Sequence, residues 1–124
     1  MTSAPVFDTS ALLAYFLDEK GSDRVENLMS DGGILSAANW SELAQKIGQL
    51  KIGWPLVREH LKSSGFTVEP VTQQDAEAAA LLWRPGAGLS LADRLCLSLG
   101  QRLGSEVVTA DTAWGTYPGV TVIR

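Results

Sequence analysis

Short apolar runs alternate along this chain with longer stretches whose apolar residues recur at helical spacing, and turn signals separate the two. "PVFD", "GILSAA", "FTVEPV", "EVVTA" and "VTVI" are too short for stable helices and rich in Val, Ile and Phe, so they read as strands. Between them, "TSALLAYFL", "SDRVENLMS", "NWSELAQKIGQL", "PLVREHLKS", "TQQDAEAAALLW" and "SLADRLCLSLGQRL" carry helical periodicity. Examples are Val25, Leu28 and Met29 in the second of these, and Leu43 with Ile47 in the third. Pro55 sits where a helix tolerates proline, in its first turn. Breaks fall at "DEKGSD", "SDGG", "SSG", "RPGAG", "LGS" and "YPG". Strands alternating with helices predict an α/β fold, a three-layer α/β/α sandwich around a mainly parallel sheet with right-handed crossovers.

At 124 residues the chain suits a single domain over 1–124, with no repeat, linker or low-complexity segment. Apolar residues make up 45% and charged residues 19%, as expected of a compact soluble globule. No apolar run approaches the ~20 residues of a membrane span. "MTSAPVFD" lacks the basic and apolar regions of a secretory leader, and the one cysteine, Cys96, has no internal partner, so a cytoplasmic location is expected. In "RLCLSL" Cys96 reads as a small buried hydrophobe.

Where would such a fold place chemistry? In open α/β sheets, ligands bind beyond the carboxyl ends of the strands. Asp8 directly follows "PVF" and Asp111 follows "VVTA". Glu42 is expected in the first turn of the helix after "GILSAA", and Asp93 in the first turn of the helix after "RPGAG". A parallel sheet would point all four toward one edge. Helix capping accounts for each acid taken singly: Asn39 to Glu42 and Ser90 to Asp93 have capping-box spacing, Asp8 can cap the "TSALLAYFL" helix, and Asp111 can cap a turn at "DTAW". Capping does not require four acids to share an edge, where they repel one another unless a cation intervenes. Hard ions such as Mg²⁺ or Mn²⁺ suit an all-carboxylate site, whereas one cysteine and one histidine make zinc a poor fit.

The segments "VFDTSALLAYF", "LSAANWSELAQKI", "LSLADRLCLSLGQRLG" and "VVTADTAW" together resemble a PIN-domain ribonuclease, specifically the VapC-like toxin of a type II toxin–antitoxin pair. The resemblance runs nearly end to end, and each segment carries an acid. It implies a parallel sheet between helices and a metal-binding, catalytic acid set of Asp8, Glu42, Asp93 and Asp111. It also implies Mg²⁺ or Mn²⁺ as cofactor and an endoribonuclease activity by metal-activated water. The same likeness implies a cognate antitoxin, a homodimer and a hetero-oligomer with the antitoxin. Asp8, Glu42 and Asp93 are expected as core ligands, with Asp111 serving a second ion or a water. Ser10 and Thr109 offer hydroxyls that can orient them, or are ordinary residues of a helix start and a strand end. The "TSALLAYFLDEK" and "NWSELAQKIGQLKIGWPL" segments carry more apolar residues than one buried face requires, so they are the expected walls of a groove for the partner.

The formal charge of −4 is unusual for a nucleic-acid binder, but without the four site acids it is 0. Lys46, Lys51, Arg58, Lys62, Arg84, Arg94 and Arg102 can then supply phosphate contacts to a structured RNA, although Lys46, four residues after Glu42, equally fits a helix ion pair. His60 reads as a solvated helix residue. Trp40, Trp54 and Trp83 read as packing residues, and Trp114 as an apolar plug near Asp111. Two other classes compete. A non-catalytic PIN-like RNA-binding module shares the fold but predicts loss of site acids. A phosphoryl-transfer or receiver domain expects Asp-x-Asp or paired early acids and a late lysine; here the first strand leads into Asp8-Thr9-Ser10, and no lysine occurs after Lys62.

Overall fold

The computed structural model describes residues 4–124, and in it the predicted alternation becomes one five-stranded sheet. The strands are β1 (Val6–Phe7), β2 (Gly33–Ser36), β3 (Phe66–Glu69), β4 (Val107–Thr109) and β5 (Val120–Val122). They lie in the order β3-β2-β1-β4-β5, every pair parallel. The helices are α1 (Thr9–Phe16), α2 (Ser22–Leu28), α3 (Ala37–Gln49), α4 (Trp54–Ser63), α5 (Gln73–Leu81) and α6 (Leu91–Leu103), with a 3₁₀ turn at Thr112–Thr116.

Strand side chains alternate between faces, so each strand feeds two cores. Phe7, Leu35 and Val108 join Leu12, Leu43, Ile47, Val57 and Leu61 on the side of α1 to α4. Val6 and Val107 join Cys96, Leu97, Leu99 and Trp114 on the side of α6. This is the three-layer sandwich expected from the sequence. Two glycines permit close approaches. A Cβ at Gly33 would collide with the rings of Phe66 and Phe7, which pack at 5.2 Å across it. One at Gly100 would strike Val107, so α6 crosses the start of β4 at a separation only glycine allows.

The sequence reading misplaces one boundary. The "AA" of "GILSAA" is the first turn of α3, not the end of β2: Ser36 is the N-cap, its Oγ accepting from the Ala38 N–H at 3.2 Å. Alanine favours helix, and a serine ahead of it can cap. The box from Asn39 to Glu42 therefore does not form, and Glu42 stands in the second turn. No helix among the described residues is long and apolar enough to cross a membrane.

Candidate active site

Because all strands are parallel, the chain leaves β1 and β4 at the same edge, and Asp8 and Asp111 emerge there. Asp8 is 4% exposed and sits in the N-cap position of α1, yet its side chain makes no cap bond. Instead its Oδ2 accepts from the Ser10 hydroxyl at 2.5 Å and from the Thr109 hydroxyl at 2.9 Å. Both hydroxyls also accept: Ser10 from the Ala110 N–H at 3.0 Å, Thr109 from the Asp111 N–H at 3.0 Å. The start of α1 and the end of β4 are thus laced around one carboxylate oxygen.

Burial raises the Asp8 pKa from 3.8 to about 6; the Ser10 and Thr109 hydroxyls pull it down, and the charges of Asp93 and Glu42 push it up. The Asp93 carboxyl is also raised, chiefly by burial, against the lowering effect of its bonds to Ser90 and with the charges of Glu42 and Asp111 adding to the rise. These mutual charges join all four predicted acids into one electrostatic group. Cys96 lies within its reach: burial, then Asp8, Asp93 and Glu42, push the thiol well above its ordinary value, so it is no nucleophile.

The four are held differently. Asp93 does form the capping box, with Oδ2 accepting from the Ser90 N–H at 2.9 Å and Ser90 Oγ accepting from the Asp93 N–H at 3.1 Å. Asp111 is exposed and accepts from the Ala113 N–H at 2.9 Å, capping the 3₁₀ turn. Capping and membership of the acid group are therefore not alternatives at these two positions. Glu42 has neither a cap bond nor an ion pair with Lys46; only α3 positions it.

Does this group suit a divalent cation? Among the described residues none of the four acids is paired to Lys or Arg, the donors are all hard carboxylate oxygens, and a buried carboxylate with only hydroxyl partners is short of positive charge. On donor chemistry the residues fit. Among the described residues, no three His, Cys, Asp or Glu side chains are grouped so as to hold an ion by themselves.

Asn39, read from sequence only as a cap, is fully buried. Its Nδ2 donates to Thr9 Oγ1 at 3.2 Å, and that hydroxyl donates to the Asn39 carbonyl at 3.3 Å. The pair ties the residue after Asp8 to the turn before Glu42. A polar residue one helical turn before Glu42, on the same face, was the available signal. The basic footprint is smaller than expected. Arg102 pairs with Asp75 at 2.7 Å, Arg94 donates to the Ala79 carbonyl at 3.0 Å, and Arg84 donates to the carbonyls of Leu81 and Trp83. Among the described residues, Lys46, Lys51, Arg58 and Lys62, on α3, α4 and the turn between them, have no such partner.

A parallel α/β/α sandwich with a linked acidic group at the carboxyl edge of its sheet is the class of protein defined so far. The chain belongs to the PIN-domain family, whose model matches residues 6–119. Its fold is similar to a chain of a toxin–antitoxin complex from Klebsiella pneumoniae, with a TM-score of 0.80 at 22% identity, covering 97% of this chain and 98% of that one. It is also similar to a chain of a DNA-bound VapBC structure from Salmonella typhimurium, with a TM-score of 0.71 at 17% identity and 100% of both chains covered. No curated protein sequence matches it.

Proposed function

We infer that this protein is a Mg²⁺- or Mn²⁺-dependent endoribonuclease and the toxin of a toxin–antitoxin pair, with residues 1–124 acting as one PIN-like domain. The observation that carries the reading is Asp8: a buried carboxylate, raised to about 6, that feels the charges of Asp93 and Glu42 and has no ion pair with a cation among the described residues. Family membership and similarity to chains of toxin–antitoxin complexes support the same reading.

The residues divide the work. Ser10 and Thr109 fix Asp8 through Oδ2. Asp93 is fixed the same way, Oδ2 held by Ser90 and Oδ1 unbonded. Glu42 contributes a carboxylate with no competing bond. Asp111, at the exposed rim, is the outer member. These carboxylates would hold a divalent ion, which would supply the positive charge to polarise a phosphodiester and to acidify a water. Without it, the four acids repel the phosphate backbone. Lys46, Lys51, Arg58 and Lys62 offer the positive surface for RNA. A cognate antitoxin covers the site, in a hetero-oligomer that also accommodates a toxin homodimer, and the cytoplasm, where RNA is found, is its place of action.

Purified protein free of partner should cleave structured RNA with Mg²⁺ or Mn²⁺ and stop in EDTA. Asp8→Asn, Glu42→Gln and Asp93→Asn should each lower the rate by orders of magnitude. Equal cleavage in EDTA overturns the mechanism. A second reading, a PIN-like module that binds RNA without cutting it, is favoured by the lack of a ready-made ligand shell among the described residues. RNA binding without cleavage, and no binding of Mn²⁺ by calorimetry, would select it. For the toxin role, expression alone should arrest growth, and co-expression with the neighbouring upstream gene should relieve it.

A further inference from the structure

Helix α3 buries one stripe, Asn39, Leu43 and Ile47, at the four-residue spacing of a helix face packed on a core. Leu43 and Ile47 fill the core on the side of α1 to α4. Asn39 heads the stripe and is 0% exposed, yet it is the residue of the three that local physics disfavours. Asparagine is a poorer helix former than leucine, and a buried amide opposes folding unless its polar atoms are paired. Asn39 Oδ1 is buried and has no hydrogen-bond partner among the described residues. A leucine at 39 would continue the apolar stripe and remove the orphaned oxygen.

What the asparagine supplies is a tie between two helices. Its Nδ2 donates to Thr9 Oγ1 at 3.2 Å, and Thr9 Oγ1 donates to the Asn39 backbone carbonyl at 3.3 Å, both side chains being buried. Among the described residues, no other side-chain hydrogen bond joins α1 to α3. The tie lies between two of the acids. Thr9 directly follows Asp8 and is the first residue of α1. Glu42 is three residues along α3 from Asn39, roughly 4.5 Å of helix rise. Asp8, Asp93 and Asp111 each accept hydrogen bonds that hold their carboxylates. Glu42 accepts none among the described residues, so its place relative to Asp8 follows from where the first turns of α3 lie.

We propose that Asn39 is a positioning residue for divalent-cation binding at the acid edge, acting through Thr9 to hold Glu42 at a fixed distance from Asp8. The proposal rests on the metal reading given above. Carboxylates that must be ordered as they bind a cation bind it less tightly, because the ordering costs entropy. Groups that act only on the supports of metal ligands commonly change affinity by about ten- to a hundredfold. The amide is neutral, so removing it alters the geometry of the acids and not their charge. An asparagine with a purely structural role would affect stability and leave cation affinity unchanged.

The experiment is calorimetric titration of the intact protein with Mn²⁺, with urea unfolding in EDTA beside it. Asn39→Leu should bind Mn²⁺ about tenfold more weakly than wild type without losing stability, since the orphaned oxygen is gone and the apolar stripe continues. Thr9→Val should show the same loss of affinity, whereas Thr9→Ser, which keeps the hydroxyl, should bind as wild type does. In a Glu42→Gln background, Asn39→Leu should weaken binding no further, because the carboxylate it positions is gone. If Asn39→Leu fails to fold, the two Thr9 variants decide alone. Wild type that takes up no Mn²⁺ would sink the metal reading and this proposal with it. Wild type that binds, with Asn39→Leu or Thr9→Val binding equally well, would leave the metal reading standing and overturn the proposal. Thr9→Ser as weak as Thr9→Val, or the same loss from Asn39→Leu with and without Glu42, would overturn it too.

Discussion

Replacing Asp8 by Asn should make the metal-free protein more stable at neutral pH and leave it unchanged in mild acid. A carboxyl with pKa 3.8 when unfolded and about 6 when folded binds its proton more tightly in the folded state. Its ionisation is therefore unfavourable to folding. Wild-type stability is retained below about pH 4, falls as pH rises through 6, and is level above about 7. The difference of about two pKa units amounts to roughly 3 kcal/mol at pH 7.5, an upper figure, since each unit is worth ~1.4 kcal/mol. Asn resembles the protonated acid in shape and charge, and its Oδ1 can still accept from Ser10 and Thr109. Asp8→Asn should recover ~2–3 kcal/mol at pH 7.5 and close to none at pH 4. Urea unfolding followed by tryptophan fluorescence, in EDTA at both pH values, measures the difference directly. Adding Mg²⁺ at pH 7.5 should then stabilise wild type and not the variant, closing the gap. The reasoning is refuted if the variant is the less stable protein at pH 7.5, or if the gap does not change with pH.

Glu42→Gln should leave urea stability within about 0.5 kcal/mol, because Glu42 makes no cap bond or ion pair, yet it should lower Mn²⁺ affinity in calorimetry; a large stability loss would show that Glu42 is structural. Asp93→Asn should keep the capping box through its remaining oxygen and be as stable as wild type or more so near neutral pH in EDTA, whereas Ser90→Ala should lose about 1 kcal/mol of cap energy. If Asp93→Asn is instead the more damaging of the two in EDTA, the cap outweighs the repulsion. Cys96, fully buried with its thiol pushed up, should resist alkylation at pH 8 in the folded protein and react once urea unfolds it; rapid native labelling would contradict its placement.

The fold was legible because each strand of a two-faced parallel sheet must be apolar and short, and each helix must show one apolar stripe. That pattern survives in "GILS" and in Leu43 with Ile47 whatever the loops do. The start of α3 was not legible to the residue, since Ser36 and Asn39 are both good caps and only the preference of Ala37 and Ala38 for helix decides between them. The four acids could be placed on one edge from strand order alone. How each is held could not: Ser10 and Thr109 are 99 positions apart yet meet at 3.2 Å beside Asp8. Nor could the fate of the basic residues be read, because Arg102 and Asp75 lie on helices whose packing no local pattern specifies. His60, read as a solvated helix residue, is exposed but packs its ring on Tyr15 and Phe16.

Asp8 and Asp18 bracket α1, and each is kept against the physics of its own position. One is a charge buried at the helix start, the other a left-handed carboxylate at its end. They stand ten positions apart with the eight residues of α1 between them, roughly 15 Å along the helix axis, and share no hydrogen bond among the described residues. Stability effects at that distance add to within ~0.5 kcal/mol unless a common field couples them. The double variant Asp8→Asn, Asp18→Gly should therefore show the sum of the two single gains in urea at pH 7.5 in EDTA. It should also lose Mn²⁺ binding at the acid edge. A shortfall beyond that margin would mean that the acids feel one another along the helix.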